Sequence, residues 1–246
     1  MKSEISQLKK PRILYLDFES SYNSGYFFGA YEQDIHSTEI IQERYFHCAG
    51  YKWSDERSAK VISQMDDKKR WKKNIHDDYY VVSEIMKVVE KADIVVAHNL
   101  FGFDLPMLQA RILLNGLKPL SDVKGIDTLR VAKRNFKLPY NNLNYLAKSF
   151  GLGEKTENPK GLWRDCFEGS EKAMRQMAKY NAQDVLLLEG VFKKLLPFVK
   201  FPIIKKDIRC QNPACGSDRV QMRGTKNGKR QFSCNDCGSW GYARIK

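Results

Sequence analysis

Long apolar runs are absent from this 246-residue sequence. A membrane-spanning helix needs about 18 or more consecutive apolar residues. The best stretch, residues 185–204, is interrupted by four charged residues, one glycine and two prolines. Residues 1–12 lack the apolar segment of a secretory signal. We therefore expect no membrane partner and no export, and predict a cytoplasmic protein, with a bacterial or phage-infected cell as the expected setting.

Internal repeats and low-complexity tracts are also missing. The hydrophobic fraction of 42% is sufficient for a sizeable core, which excludes a chain that is disordered throughout. At about 100–200 residues per domain, the length fits one medium domain and a small appendage. We predict a main domain over residues 1–204 and a small module over residues 205–246.

Acidic residues are few in the last part of the chain. The whole sequence has 42 Lys and Arg against 29 Asp and Glu, a net charge of +13. Residues 205–246 alone contain ten basic and three acidic side chains. Such an excess favours a polyanionic partner, most simply nucleic acid, although solubility alone explains part of it.

Cysteine is scarce outside this basic segment, which contains four of the six. The four form two pairs, separated by 18 residues, and a glycine follows the second cysteine of each pair: Cys210, Cys215, Cys234 and Cys237. Clustered thiols in a reducing compartment usually bind metal, and four thiolates make a tetrahedral site suited to Zn²⁺. We predict one Zn²⁺ here, with free thiols or an iron–sulfur cluster as alternatives.

The residues between the two cysteine pairs predict a β-hairpin with a basic tip. The segment resembles the zinc ribbons appended to transposases and other nucleic-acid enzymes, and so short a module should need its metal in order to fold. The expected phosphate contacts are basic side chains: Arg223, Lys226, Lys229 and Arg230. A ribbon that docks a protein, such as a replication or repair partner, remains the alternative.

The order of predicted elements indicates an α/β layered domain. Residues 12–19 predict an opening strand, and three strand-like runs between residues 37 and 64 predict a meander. The elements that follow are a helix over 77–92, a buried strand over 93–97, a helix over 104–115, a strand over 125–131, a helix over 143–150, a loop over 151–163 and a long helix over 170–196, before Pro197.

Acidic residues occupy unusual positions in three of these elements. Asp17 and Glu19 are two residues apart on the opening strand, so both carboxylates project from one face. Asp184 falls on the apolar stripe of the last helix, one turn after Tyr180. A buried lone carboxylate is costly, so Asp184 should be paired, protonated or bound to metal. Asp104 follows the buried strand, where a helix N-cap is the alternative role.

Together these residues match the pattern of a known family. The three motifs are Asp17-Phe-Glu-Ser20, His98-Asn-Leu-Phe-Gly-Phe-Asp104 and Tyr180-Asn-Ala-Gln-Asp184. The sequence over about residues 10–197 resembles the DEDD 3′–5′ exonucleases, in the branch with tyrosine in the third motif (DEDDy). It is most similar to the proofreading domains of family B DNA polymerases and to their stand-alone phage and bacterial relatives. The resemblance implies an RNase H-like fold, with a mixed sheet flanked by helices.

The resemblance also implies catalytic roles. Phosphodiester hydrolysis by two divalent cations needs carboxylate ligands, which Mg²⁺ and Mn²⁺ prefer over imidazole or thiolate. Asp17 would bridge both ions, Glu19 and Asp184 would complete the shell of the first, and Asp104 would support the second. Tyr180 would orient the attacking water.

Substrate contacts are expected beside these acids. By position in the motifs, the candidates for holding the terminal nucleotide are polar or aromatic: Phe18, Ser20, Asn99 and Phe103. Phe18 points away from the acids, which favours a core role for it over contact with the terminal base. Ser20 stands where threonine is common in the family, which leaves packing there less certain.

The resemblance therefore implies a metal-dependent 3′–5′ exonuclease, and we expect it to act on single-stranded DNA. An enzyme with the same fold that acts on RNA is the first alternative. RNA differs from DNA by its 2′-hydroxyl, and no motif in the sequence indicates whether that group is recognised. An inactive scaffold that recruits nucleic acid or a replication protein through the ribbon is the second.

Overall fold

The computed structural model describes residues 11–29, 31, 34–153, 159–199, 210, 212, 215, 217–227 and 229–244. The predicted boundary between residues 204 and 205 lies outside these residues. Strands and helices are numbered in chain order.

The main sheet contains five strands in the order β5-β4-β1-β6-β7. Their bounds are β1 Ile13–Ser20, β4 Phe46–Trp53, β5 Lys60–Ser63, β6 Ile94–Ala97 and β7 Gly125–Asp127. Strand β4 is antiparallel to both β1 and β5, whereas β6 is parallel to both β1 and β7. The sheet is therefore mixed. Two short strands, β2 Ser24–Gly25 and β3 Ile40–Gln42, form a separate antiparallel pair.

Seven α-helices accompany the strands in the described part of the chain. They are α1 Lys68–Lys73, α2 Tyr79–Val89, α3 Leu105–Leu114, α4 Thr128–Asn135, α5 Leu143–Ser149, α6 Leu162–Phe167 and α7 Glu171–Leu195. A π-helical turn, Leu100–Asp104, leads into α3, and short 3₁₀ turns lie at Ser37–Glu39, Gln64–Asp66 and Leu196–Phe198.

Alternation along β1 divides the core into two layers. Leu14, Leu16 and Phe18 face α2 and α3, within one buried cluster. Tyr15 faces the other side, where its ring meets Phe192 of α7 edge to face at 5.7 Å. Because side chains alternate across a strand, the odd-numbered acids of β1 also face α7. Helices thus flank both sides of a mixed sheet, which confirms the predicted fold class.

The prediction of a strand over residues 125–131 is wrong in its second half. Strand β7 ends at Asp127, and α4 begins at Thr128. The Asp127 carboxylate accepts hydrogen bonds from the backbone N–H groups of Leu129 and Arg130, so it caps the helix. The predicted loop over 151–163 is also too long, because α6 begins at Leu162, and the sequence pattern gave no sign of α1.

A three-stranded antiparallel sheet forms the C-terminal module, which we define as the described residues between 210 and 244. Its strands are β8 Val220–Lys226, β9 Lys229–Cys234 and β10 Trp240–Arg244, in the order β10-β9-β8. The predicted hairpin corresponds to β8 and β9. The module contacts the main domain through Asn235, whose amide donates to the Leu120 carbonyl at 2.7 Å.

Within the described ranges, every helix is too short or too polar to cross a bilayer.

Candidate functional site

Three carboxylates meet where the end of β1 packs against α7. Asp17 and Glu19 come from one face of β1, and Asp184 comes from the buried stripe of α7. Each offers an oxygen atom, and these oxygens lie within 4.8 Å of one another. Glu19 and Asp184 are buried, and Asp17 is half-buried. Like charges at this separation repel strongly, so a cation is the natural partner for this cluster.

Asp104 lies beside this cluster but outside the set of oxygens within 4.8 Å. It ends the π-helical turn and has only 3% of its surface exposed. Burial raises the pKa of Asp104 well above its usual value, and the nearby charge of Asp17 raises that pKa further. Asp104 is therefore close enough to Asp17 for their charges to interact.

Tyr180 is half-buried on α7, one helical turn before Asp184. Its ring meets that of Trp163 edge to face, with 5.9 Å between the ring centroids. Trp163 belongs to α6, so this contact limits the movement of the Tyr180 ring on the side that faces α6. The hydroxyl is therefore carried by an oriented ring on the helix that also carries Asp184.

Asn181 is a residue of this site that the sequence analysis did not select. Its side-chain amide donates to Asp17 Oδ2 at 2.7 Å and to the Asp17 carbonyl oxygen at 3.3 Å. The Cys48 thiol donates to Asn181 Oδ1 at 3.6 Å. Asn181 is fully buried, so these bonds form away from water. A polar residue on the apolar stripe, three positions before Asp184, was the available signal for it.

Gly50 allows this contact between α7 and the sheet. It lies opposite Asp17 in the register of β1 and β4. A Cβ atom at Gly50 would lie 2.6 Å from Asn181 Oδ1 and 2.9 Å from Cγ2 of Val185. No ordinary contact is that short, so a side chain here would push α7 away from β1. The absent side chain thus determines how closely the two acid-bearing elements approach.

Asp127 fixes the turn that carries the second motif. Its carboxylate accepts hydrogen bonds from the N–H groups of Asn99 at 3.1 Å and Phe101 at 3.4 Å. Asn99 has a positive φ of 76°, a conformation that asparagine adopts more readily than most residues. Asp127 is therefore a support for the turn before Asp104, while it also caps α4.

The four residues predicted to contact the terminal nucleotide occupy different environments. Phe18 lies in the core, 5% exposed, and stacks on Phe46 with 4.3 Å between centroids. Ser20 is half-buried at the end of β1, and Asn99 is half-buried at the π-helical turn. Phe103 is half-buried, and the guanidinium of the exposed Arg44 lies 5.9 Å from its ring. Arg44, beside the ring that precedes Asp104 in the chain, is a basic residue that sequence reasoning missed.

The four cysteines of the C-terminal module form a second cluster, with sulfur atoms within 4.8 Å of one another. The sulfur–sulfur distance is 3.5 Å between Cys210 and Cys237, and 3.7 Å between Cys215 and Cys234. Tetrahedral coordination at a Zn–S distance of about 2.3 Å requires sulfur atoms about 3.8 Å apart. The observed spacing therefore fits a four-thiolate metal site, and both clusters are compatible with divalent metals.

The predicted phosphate contacts lie on the strands of this module. Arg223, Lys226 and Lys229 are exposed, and Arg230 is half-buried. Lys226 and Lys229 pair directly at the tip of the β8–β9 hairpin. The tip therefore carries concentrated positive charge.

Comparison with protein families shows where the main domain belongs. A family model described as RNase H superfamily matches residues 32–196, more than half of the chain. The chain belongs to the RNase H superfamily. The match includes Asp104, Tyr180 and Asp184, and it begins after β1, so the place of Asp17 and Glu19 in the site depends on the geometry described above. Membership of this superfamily supports a nuclease activity.

A solved structure shares the fold of this RNase H superfamily member. It is the family B DNA polymerase from the hyperthermophilic archaeon Pyrobaculum calidifontis, with a TM-score of 0.57 and 19% sequence identity. The likeness covers 77% of this chain and 25% of the polymerase, so this chain spans about a quarter of that protein. A search among curated proteins gives no match.

Proposed function

We propose that this protein is a metal-dependent 3′–5′ exonuclease of the DEDDy type, which hydrolyses phosphodiester bonds at the 3′ ends of single-stranded DNA. The observation that carries the proposal is the meeting of Asp17, Glu19 and Asp184 beside the buried Asp104. Three separate elements of the chain contribute these acids, and bringing several buried carboxylates together is costly unless a cation balances their charge.

The acids are suited to hold two hard divalent cations, Mg²⁺ or Mn²⁺. Asp17, Glu19 and Asp184 would hold the first, and Asp17 and Asp104 the second. Such ions lower the pKa of a bound water and stabilise the charge that develops on phosphate oxygens. The protein's own contribution is to fix the carboxylates: Asn181 orients Asp17, and Asp127 supports the turn before Asp104.

Tyr180 is proposed to orient the attacking water. Its ring is held by Trp163 and lies one helical turn from Asp184 on α7. A hydroxyl at this position can donate or accept one hydrogen bond to a water beside the carboxylates. Correct orientation of the nucleophile is a large part of the rate enhancement in reactions of this kind.

A single-stranded substrate is supported by exposed aromatic rings that follow β1. Tyr26, Phe27 and Phe28 are 70%, 63% and 109% exposed, close in sequence to Glu19. Exposed rings stack on unpaired bases of any sequence. The fold shared with a DNA polymerase favours DNA over RNA as the substrate, and the net charge of +13 favours either.

The test compares 5′-labelled single-stranded DNA, the matching RNA and a circular single-stranded DNA, each with Mg²⁺, with Mn²⁺ and without metal. We expect stepwise shortening of linear DNA from the 3′ end, only with metal, and no cutting of the circle. Cutting of the circle would contradict the exonuclease proposal, and faster digestion of RNA would make this an exoribonuclease.

The variant that tests the acidic site is Asp184→Asn. It should lower turnover about 10³-fold or more, which corresponds to a loss of about 4 kcal/mol of transition-state stabilisation. Asp55→Asn, at an exposed position, is the control and should retain activity. Full activity of Asp184→Asn would refute the assigned site, and absence of metal-dependent turnover in the unaltered protein would favour a scaffold that only binds nucleic acid.

A further inference from the structure

The sheet of the C-terminal module has two different faces. Val220, Met222 and Phe232 pack with the cysteine cluster on one face. The opposite face, which we call the outer face, follows from the strand register, because directly paired residues project to the same side. Trp240 pairs with Ser233, and Tyr242 pairs with Gln231, so these four side chains share the outer face.

Two large aromatic rings on the outer face are exposed. Trp240 is 61% exposed and Tyr242 is 47% exposed, two residues apart on β10. Strand β10 lies at the edge of its three-stranded sheet, with β9 as its neighbour among the described strands. Gln231 Nε2 donates to the Tyr242 hydroxyl at 3.3 Å, which orients the tyrosine. Two adjacent exposed rings at a sheet edge offer a platform for stacking.

Positive charge accompanies the rings. Arg223 Nε donates to Ser233 Oγ at 2.9 Å, and this bond holds the exposed guanidinium on the outer face. Lys229 is exposed and lies two residues before Gln231 on β9, so it projects to the same side. The three strands of the module contain five basic residues and no Asp or Glu. The partner that complements this face is therefore anionic and carries flat apolar groups.

The module contacts the main domain at the end of the sheet opposite the acidic cluster. Arg219 donates to the Pro119 carbonyl oxygen at 2.8 Å and lies 3.4 Å from Glu90 Oε1. Pro119 precedes β7 and Glu90 precedes β6, so the module contacts the end of the main sheet at which β6 and β7 begin. The acids lie at the opposite end of the strands, where β1 ends and α3 starts. Helix α3 runs between these two ends of the sheet, and its ten residues have a length of about 15 Å.

We propose that Trp240, Tyr242 and Arg223 form a second binding surface for single-stranded DNA, separate from the hydrolytic site. The two rings stack on bases, and the guanidinium contacts a phosphate. This surface goes beyond the proposed function, since binding to it does not require hydrolysis. It would hold a part of the strand distant from the reacting 3′ end, and so favour long substrates over short ones.

The length of substrate that can use both sites follows from their separation. At about 3.4 Å per step of a stacked strand, the three steps of a tetranucleotide span about 10 Å, less than the 15 Å along α3. A tetranucleotide at the acidic site therefore cannot reach the outer face, whereas a strand of 30 nucleotides can contact both. The comparison of these two lengths isolates the contribution of the outer face.

The experiment uses the full-length, zinc-loaded protein with Asp184→Asn to prevent digestion, and measures binding of labelled dT30 and dT4. The double variant Trp240→Ala/Tyr242→Ala should weaken binding of dT30 at least tenfold and leave binding of dT4 unchanged. Trp240→Phe/Tyr242→Phe keeps two stacking rings and should stay within about threefold of the parent protein. Zinc content and circular dichroism establish that each variant is folded.

A second measurement needs no alanine variant. Trp240 is the exposed tryptophan among four, since Trp53 and Trp71 are buried and Trp163 is half-buried. Stacking on a base should quench its fluorescence when dT30 is added, and Trp240→Phe should remove that quenching. Arg223→Ala should reduce the salt dependence of dT30 binding by about 0.7 in the log–log slope, the value for one phosphate contact on a single strand.

Three results would overturn the proposal. Unchanged dT30 affinity in the alanine double variant would show that the face does not bind DNA. Equal weakening of dT30 and dT4 would show that it is not separate from the acidic site. Tighter binding of an RNA 30-mer than of dT30 would replace DNA with RNA as the ligand. Turnover of dT4 by the protein with Asp184 intact tests the proposed function independently.

Discussion

At the scale of single residues, the site depends on a neutral side chain as much as on its acids. Asn181 donates to the Asp17 carboxylate through a fixed amide, and its oxygen in turn accepts from Cys48. An amide neither adds charge nor changes charge with pH, so it can orient a carboxylate without competing for cations. Partners of metal ligands commonly change metal affinity by 10- to 100-fold.

Replacing Asn181 by alanine should therefore disturb the position of Asp17 more than the fold. We expect Asn181→Ala to lower kcat about 10- to 100-fold and to raise the Mg²⁺ concentration needed for half-maximal activity. The measurement is a Mg²⁺ titration of turnover on single-stranded DNA. Asn135→Ala, an exposed asparagine that ends α4, is the control and should match the unaltered protein. A loss of thermal stability with an unchanged Mg²⁺ requirement would instead mean that Asn181 has a purely structural role.

At the scale of elements, the contact between β4 and α7 determines how closely the acids approach each other. Gly50 of β4 leaves room for Asn181 and Val185 of α7, and Lys52 of β4 pairs with Glu189 of α7 at 2.9 Å. Burial raises the pKa of Glu189, but the hydrogen bonds and charges of Lys52 and Lys193 together outweigh it and lower that pKa. The helix is thus held close to the sheet over two turns.

The substitution Gly50→Ala tests this close packing. The new methyl group would overlap Asn181 and Val185, so α7 must shift, at a cost of about 1–3 kcal/mol of unfolding free energy. Activity should fall together with stability, because Asp184 moves with α7. Urea unfolding and turnover measured on the same preparation provide the check.

The control places the same methyl group on the outer part of α7. In Gly190→Ala the new atom would lie 3.2 Å from the end of the Leu152 side chain, which can move. Alanine is also preferred over glycine within a helix. We expect near-unchanged stability and activity for Gly190→Ala. Equal losses in both variants would show that any added volume beside α7 is harmful, and would contradict the special role of Gly50.

At the scale of the whole molecule, the acidic cluster and the four-cysteine cluster lie in parts of the chain that are stabilised in different ways. The main domain has extensive buried clusters on both sides of its sheet. The C-terminal module has one small buried cluster, formed partly by its own cysteines. A core of that size cannot by itself offset the entropy of ordering the chain. The module should therefore depend on its metal, and the main domain should not.

Loss of metal from the module should separate its role from that of the main domain. Cys237→Ser should remove most of the bound zinc and unfold the module, while the acidic cluster remains assembled. We expect hydrolysis of a tetranucleotide to continue near the normal rate, and affinity for long single strands to fall. Ser239→Ala, next to the cluster, is the control and should retain zinc. Metal analysis, turnover and binding are measured in parallel, and loss of tetranucleotide turnover would show that the module belongs to the catalytic unit.

Much of the architecture is visible in local sequence patterns. The opening strand, the buried strand after α2 and the long final helix each follow from hydrophobic periodicity, because one face of each is buried. The cysteine spacing and the i, i+2 pair of Asp17 and Glu19 are likewise local. The error at Asp127 arose because a strand and the first turn of a helix have similar composition there, and a hydrogen-bonded cap decided between them.

The sequence alone was sufficient for the fold class, for the three acidic motifs and for the four-cysteine cluster, because all of these follow from residue types, their spacing and the order of elements along the chain. Tertiary structure decided which of the chemically plausible residues actually meet. Asn181 reaches Asp17 only because Gly50 lacks a side chain. Likewise, Phe18 packs against Phe46 in the core, and the C-terminal module contacts the end of the sheet opposite the acids. Such contacts join positions far apart in the chain, and their energies come from packing that no local pattern records.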